Sequence, residues 1–302
     1  LLSLIEIFNA HCATIHFKKI QEHCILYKKL FNQSGILEIS THGNVSMLRI
    51  CFSLGLLMFI GTTQVTAKSN TVSPVYWDTP QGIARLNESQ LNHQFTELVH
   101  YFITQENIAY CGPASAVMIA NALHITSPVI PRLKPYSLWT QETIFTPKVI
   151  QAGITPKLVS RQGVTLDEET QLLNAIPGIK ATAYHTSDKT ADIRKQLITA
   201  VDTPGDYLLV NYYRPQLNQT GYGHLSVAAA YNKISDSILI LDVARYKYPP
   251  FWAKIDQLID AMNTFDKVSQ KNRGFAVVRS VPVSKEKMDS KKHLEDKSDK
   301  LS

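Results

Sequence analysis

Cysteine is scarce in this chain: four occur in 302 residues, at positions 12, 24, 51 and 111. Beyond residue 51 a disulfide framework is excluded, because Cys111 stands there alone. Charge of one sign is also in short supply. The formal balance is +6, and no arginine-rich stripe with interleaved aromatics occurs, so nucleic-acid binding has little support. A small anionic substrate suits this balance equally well. No internal repeat is visible. The apolar run at 50–60 is about 11 residues long, against the roughly 20 that a membrane-spanning helix needs. What is present is ordinary for a folded protein, with 44% hydrophobic and 19% charged residues. The length permits one large domain or two small ones.

The amino-terminal region carries the first readable signal. The first methionine is Met47, and from it the chain reads MLRICFSLGLLMFIGTTQVTA. Arg49 supplies a short positive region, 50–60 the apolar stretch, and Val65-Thr66-Ala67 a small-residue cleavage pattern. This layout predicts a secretory signal peptide over 47–67, with export to the periplasm and residues 1–46 as a non-native upstream extension. A buried core helix is the alternative. An uncleaved anchor tethering the domain outside the membrane is another. Cys51 lies inside the apolar run rather than just after it, which argues against a lipoprotein anchor. Cleavage after Ala67 would leave only Cys111, a free thiol in an oxidising compartment. Either it is a small buried filler, or its chemistry is the reason for keeping it.

Along the expected mature chain, 68–95 reads as an irregular approach segment and 95–103 as a short helix or strand. In QENIAYCGPASAVMIANALHI, residues 114–123 predict a helix buried on most sides, with Pro113 in its first turn, where a missing N–H is harmless. Residues 127–150 read as a long surface loop with a short helix. A Thr165-x-x-Glu168 capping box opens an amphipathic helix over 165–176, and another helix is expected over 190–200. The second half is strand-rich: YLLVNYY (207–213), HLSVAAAY (224–231), SILILDVA (237–244) and GFAVVRS (274–280), with a helix at 254–263. From residue 284 onward, six Lys and five acidic residues predict a solvated tail. Helices first and an antiparallel sheet second make an α+β protein: a helical lobe carrying the nucleophile helix, packed on a carboxy-terminal sheet lobe.

Cys111 stands immediately before the buried helix. The partial positive charge of a helix amino terminus favours thiolate over thiol there. Gly112 lets a substrate approach the backbone, and Gln105 is placed to help the Cys111 N–H hold an oxyanion; alone, it would be a loop glutamine. For a proton shuttle, GHLSVAAAYNKISDSILILDVARY reads as a hairpin turning near 232–236. Folding about residue 233 sets 224 opposite 242; folding about 234 makes them diagonal neighbours on one face. Asp242 is costly in an apolar strand unless it has a partner, and holding the His224 ring in one tautomer is such a role. Merely ending the strand is the alternative. His93, His100, His124, His185 and His293 compete with His224, but none has a carboxylate in such register. Cys111, His224 and Asp242 thus form a candidate nucleophile, general base and orienting acid.

Six blocks in order resemble the phytochelatin synthase family: QENIAYCGPAS, SPVIPRLKPYSLWTQETIF, RQGVTLDEE, GHLSVAAAYN, LDVARYKYPPFW and AMNTFDKVSQKNRGF. The similarity spans about 95–278. It implies a papain-like fold, a Cys–His–Asp triad on Cys111, His224 and Asp242, and an oxyanion glutamine on Gln105. The implied chemistry is attack on the Cys–Gly amide of glutathione, giving a γ-glutamylcysteinyl thioester released by water or by a second glutathione. Arg214, Arg245 and Lys247, and more weakly Arg273, match basic positions that would anchor the carboxylates of glutathione; each reads equally as a surface charge. The resemblance implies no tightly bound cofactor, activation by cadmium or zinc as glutathione thiolates, and a homodimer. In two respects the chain departs from plant-type members: it has no cysteine-rich carboxy-terminal extension, and it has Asn107 where they carry an acidic residue linked to the second substrate. Hydrolysis first and transfer second is therefore expected. A general cysteine peptidase or amidase is the rival enzyme, and a non-catalytic module binding thiols or metal the rival outside catalysis.

Overall fold

A computed structural model describes residues 73–90, 92–188 and 192–282. The expected signal peptide, the extension before it, Cys12, Cys24, Cys51, His293 and the charged tail lie outside the described residues. The rest is organised by a sheet of seven strands, every pair antiparallel: β1 (Val75–Tyr76), β2 (Ile179–His185), β3 (Asp206–Tyr213), β4 (Gly223–Asn232), β5 (Ser237–Leu241), β6 (Phe251–Lys254) and, last in the chain, β9 (Gly274–Ser280). Their order across the sheet is β1-β6-β5-β4-β3-β9-β2. Two short strands, β7 (Phe265–Asp266) and β8 (Lys271–Asn272), form a separate ribbon.

The side-chain alternation of these strands divides the interior in two. Leu209, Leu225, Val227, Leu239, Leu241 and Trp252 point into one core. Leu208, Val210, Tyr212, Ile238, Ile240 and Phe251, each an odd number of places from a strand-mate in the first set, point into the other. A sheet apolar on both faces needs cover on both. On the first face lie α3 (Cys111–Ala122) and α6 (Leu166–Asn174); on the second lie α7 (Ile193–Asp202) and α8 (Ile255–Met262). The α+β class holds, but the two-lobe expectation gains a third layer, because the helices at 193–202 and 255–262 close the back of the sheet. Filling either core with such side chains is worth about 1.5–3 kcal/mol per fully buried Leu, Ile or Phe.

Residues 73–162 hold more regular structure than the sequence suggests. The segment expected to be irregular contains α1 (Pro80–Glu88), because Pro80 sits at its first position, where it does no harm, and the Thr79 hydroxyl caps Gly82 N–H. α2 (Phe95–His100) resolves the helix-or-strand alternative at 95–103. The stretch 127–150 is not wholly surface loop: Trp139, Ile144, Phe145 and Val149 are buried, the last in α4 (Pro147–Gln151). Asn121 holds this stretch to α3 through both amide atoms, accepting from Trp139 N–H and donating to its carbonyl. α5 (Pro156–Gln162) also escaped the sequence reading; its Thr155 cap and Pro156 start resemble those of α1 and α4.

One backbone irregularity decides the site. At the turn, Asn232 pairs with Ser237 and Ala230 with Leu239. Continued unchanged, that register would set Asp242 opposite Val227 and put it on the face away from His224. A bulge between Ala228 and Ala230 shifts the pairing by one, so that Val227 faces Leu241. Extending that shifted register sets Asp242 opposite Ser226, diagonal to His224 and on its face. The expected second alternative for the hairpin is the one realised, and the bulge realises it.

Candidate active site

Cys111 is the first residue of α3, with Tyr110 at the cap and no side chain satisfying the first-turn amides. The free N–H groups and the helix dipole point at the sulfur. Burial pushes the Cys111 thiol up, but a hydrogen bond to His224, its charge, and the backbone amides of Leu225 and Gly112 bring it below the usual thiol value. As a residue Cys111 is half-buried, and it lines the cavity described below. His224 enters from β4, opposite Tyr212 of β3, and its Nε2 donates to Asp242 Oδ1 at 2.8 Å. That leaves Nδ1 as the nitrogen for the thiol. Burial lowers the His224 basicity, while the charge of Asp242, its hydrogen bond and the hydrogen bond to Cys111 raise it, with a net rise. A lowered thiol beside a raised imidazole is the condition for a thiolate–imidazolium pair.

Asp242 lies just past the end of β5 and is fully buried. Its Oδ1 also accepts from Ala244 N–H at 2.9 Å and Arg214 Nη2 at 3.0 Å. Its Oδ2 accepts from Arg214 Nη1 at 2.8 Å and from the Tyr212 hydroxyl at 3.4 Å. Desolvation alone would raise this carboxyl; the charges and hydrogen bonds of His224 and Arg214 hold it well below the usual carboxylate range.

Arg214 is therefore not where the resemblance put it. It is buried, forked onto Asp242, with Nη1 also donating to Gln219 Oε1 at 2.6 Å. It holds the orienting acid from the interior and does not line the cavity beside Cys111. Arg245 is exposed and stacked on Phe102, and Lys247 is exposed above Tyr248; neither lines the cavity beside Cys111. The weakest candidate, Arg273, does. That cavity, of about 360 Å³, runs between the α3 start and the α5–α6 connection on one side and β3, β4 and the segment carrying Asp266, Val268 and Arg273 on the other. Arg273 Nη1 donates to the Phe265 carbonyl at 3.0 Å, while its buried Nε has no partner among the described residues. Beside it Asn211, also buried, has an Oδ1 with no partner. Both residues line the cavity, but the unmatched atoms are themselves enclosed, so an α-amino-acid head group would pair its carboxylate with Arg273 and its ammonium with Asn211 only once those side chains turn outward. The sequence carried the Asn211 signal: it is the one carboxamide in YLLVNYY.

Gln105 is buried, and its N–H donates to the Val243 carbonyl at 2.9 Å, tying it to the residue after Asp242. Both hydrogens of its Nε2 are engaged, with the Asn107 carbonyl at 2.7 Å and the Tyr246 hydroxyl at 3.0 Å. An oxyanion role requires one of these to be released, and Tyr246, itself exposed, is the movable partner. Asn107 Oδ1 accepts from Ala109 N–H at 2.8 Å, so its side chain closes a local turn. Three other histidines also meet a carboxylate, but none across a hairpin as His224 does. His185 Nε2 meets Asp167 Oδ1 at 2.9 Å, His124 meets Glu97 at 3.6 Å and His93 meets Asp202 at 3.8 Å. None of these pairs lines the cavity beside Cys111. One residue was missed entirely. Glu169, on α6 against Gly112, is fully buried, and neither of its oxygens has a partner among the described residues.

Residues 68–275, more than half of the chain, match the family model described as phytochelatin synthase. The chain belongs to the phytochelatin synthase family. It is 34% identical over 185 residues to glutathione gamma-glutamylcysteinyltransferase 3 of Lotus japonicus, covering 61% of this chain and 37% of that protein. It is 28% identical over 200 residues to glutathione gamma-glutamylcysteinyltransferase of Schizosaccharomyces pombe, covering 66% of this chain and 46% of that one. The match thus spans less than half the length of these curated relatives. Among solved structures, xylellain, a cysteine protease from Xylella fastidiosa, is similar at 13% identity with a TM-score of 0.27, covering 73% of this chain and 91% of that one. Phytochelatin synthase membership accounts for the six sequence blocks and leaves the chemistry of this particular chain to its geometry.

Proposed function

We propose that this chain is a cysteine acyl-transfer enzyme that opens the Cys–Gly amide of glutathione, mainly by hydrolysis. One observation carries the reading: a thiol at a helix start, hydrogen-bonded to a histidine whose other nitrogen is on a buried carboxylate, lines a cavity that Arg273 and Asn211 also line. His224 holds the proton of Cys111, and the thiolate attacks the carbonyl of the glutathione cysteine. As the tetrahedral intermediate collapses, the imidazolium gives that proton to the departing glycine amine. A γ-glutamylcysteinyl thioester remains. His224 then takes a proton from water, whose oxygen attacks the thioester, and γ-glutamylcysteine leaves as the proton returns to the sulfur. A second glutathione amine in place of water gives the longer γ-glutamylcysteinyl product. Arg273 and Asn211 hold the γ-glutamyl head group.

The use of Asn107 in a local turn supports hydrolysis over transfer, since a neutral side chain already engaged offers little to an incoming amine. Cadmium or zinc enters this reading as the glutathione thiolate complex, that is, as substrate. Residues 47–67 direct export, so the substrate is periplasmic glutathione; amino-terminal sequencing of the native protein, expected to start at Lys68, checks this.

The test is to incubate the purified protein with glutathione, with and without cadmium or zinc, and to resolve products by mass. Glycine with γ-glutamylcysteine is expected as the main outcome and (γ-Glu-Cys)2-Gly as the minor one, both abolished by Cys111→Ser. Cleavage of ordinary peptides without glutathione turnover would replace this reading with a general peptidase.

A further inference from the structure

Glu169 is a carboxyl group in an unusual position. It lies at the end of the first turn of α6, fully enclosed, with neither oxygen hydrogen-bonded among the described residues. It abuts the residue after the nucleophile: a methyl group built on Gly112 would fall 2.5 Å from Glu169 Oε2 and 2.3 Å from a methyl of Val164. The absence of a side chain at 112 is what admits the carboxyl to the first turn of α3. Native interiors rarely leave a polar group in this state without a function.

We propose that Glu169 is a positioning residue of the reaction, an uncharged carboxyl group enclosed against the first turn of α3 whose ionisation sets the alkaline limit of the nucleophile. The proposal rests on the reading of Cys111 as the reacting sulfur. The amino terminus of α3 presents about half a positive charge to that sulfur and to the oxyanion that follows. A neutral Glu169 leaves this field intact. A carboxylate in the same place would overturn it, disfavouring the thiolate, the oxyanion and the approach of a peptide that is itself anionic.

Among the described residues, no cation is paired with Glu169. On its own helix, Asp167 is held by His185 and Lys271, and Glu168 caps Thr165 N–H. From β9, Arg279 pairs with Asp206; from β2, Lys180 is exposed. On α3 the facing ionisable group is Cys111. Burial raises the Glu169 carboxyl to about 8, and the Cys111 charge adds to the rise. Coupling between two sites is mutual, so each holds off the ionisation of the other.

Infrared spectroscopy of the full chain tests this without turnover. At about pH 7 the protein should show a protonated-carboxyl band that Glu169→Gln removes. The band should vanish as pH rises through about 8, and earlier in Cys111→Ala, where the thiolate is gone. In parallel, kcat/KM for glutathione should fall about tenfold further between about pH 7 and pH 9 in the wild type than in Glu169→Gln. An ionised Glu169 at pH 7, an identical titration in Cys111→Ala, or superimposable pH profiles would each overturn the proposal. Should Glu169→Gln fail to fold, Glu169→Leu supplies the band assignment. If glutathione is not turned over, the functional reading fails on its own, while the infrared titration still decides whether Glu169 and Cys111 are coupled.

Discussion

Two carboxyl groups in this molecule are equally hidden from water and have opposite chemistry. Asp242 and Glu169 are each 0% exposed. Asp242 is met by an imidazole, a guanidinium fork, an amide and a phenol, and is held ionised. Glu169 is met by the first turn of α3 and Val164 and is pushed to about 8. Burial therefore does not decide the charge of an acid; the donors aimed at it do. The site uses both outcomes: a fixed negative charge on the far side of His224 to keep the ring basic, and the absence of one beside the sulfur.

The sharpest way to break the contrast is to strip Asp242 of its cation. Arg214→Met leaves a buried carboxylate without its counter-charge, and we expect a loss of about 3–5 kcal/mol in unfolding free energy, read by denaturant titration. The pH dependence has a definite sign. The depressed carboxyl stabilises the wild type at pH above its unfolded value, and that contribution is lost as pH falls through the folded one. In the variant the Asp242 carboxyl moves up toward the Glu169 condition, so acid destabilisation starts at higher pH. Because Arg214 acts through Asp242 and His224, kcat should fall while KM for glutathione holds; a rise in KM alone would restore Arg214 as a substrate anchor.

The Glu169 side of the comparison predicts the opposite slope. A carboxyl raised in the folded state retains a proton that the unfolded chain gives up near its ordinary value of 4.5. Between about 4.5 and about 8 the wild type therefore loses stability as pH rises, by an amount on the order of a few kcal/mol. Glu169→Gln has no such proton to hold. Its stability relative to wild type should improve steadily across that window, as seen in chemical unfolding at a series of pH values. A constant difference would mean that Glu169 is already charged or reaches water.

The same contrast explains what the sequence could disclose. Asp242 was readable because a carboxylate in ILILDVA breaks an apolar strand. Asn211 breaks YLLVNYY in the same way, and passed unused because attention went to cations. Glu169 broke nothing: acidic residues in the first turns of a capped helix are favourable in themselves, so DEE after Thr165 looked like ordinary capping. The basic residues failed for a related reason. Arg214, Arg245 and Lys247 flank the triad in sequence, but a fork onto a buried acid and a stack on Phe102 are tertiary facts. Strands β3, β4, β5 and β9 and the helices of the second half were legible in the sequence, whereas β2 and β6 were not. α1 and α5 were hidden because proline at a first helical position resembles proline in a loop. The bulge near Ala229 has no sequence signal that we can name, although the triad depends on it.

The smallest expected effect isolates the helix from the acid it carries. In the capping box the Thr165 hydroxyl accepts from Glu168 N–H at 3.2 Å, and Glu168 Oε2 accepts from Thr165 N–H at 2.7 Å. Thr165→Ala removes the first of these and should lower stability by about 1 kcal/mol, seen as a fall of a few degrees in Tm. Since α6 is also pinned by Leu166, Leu172 and Leu173 in the core, the helix should stay in place and the Glu169 titration should not move. If that titration does shift with the cap, the neutral state of Glu169 depends on the helix start, and the enclosure at Gly112 is not sufficient to maintain it.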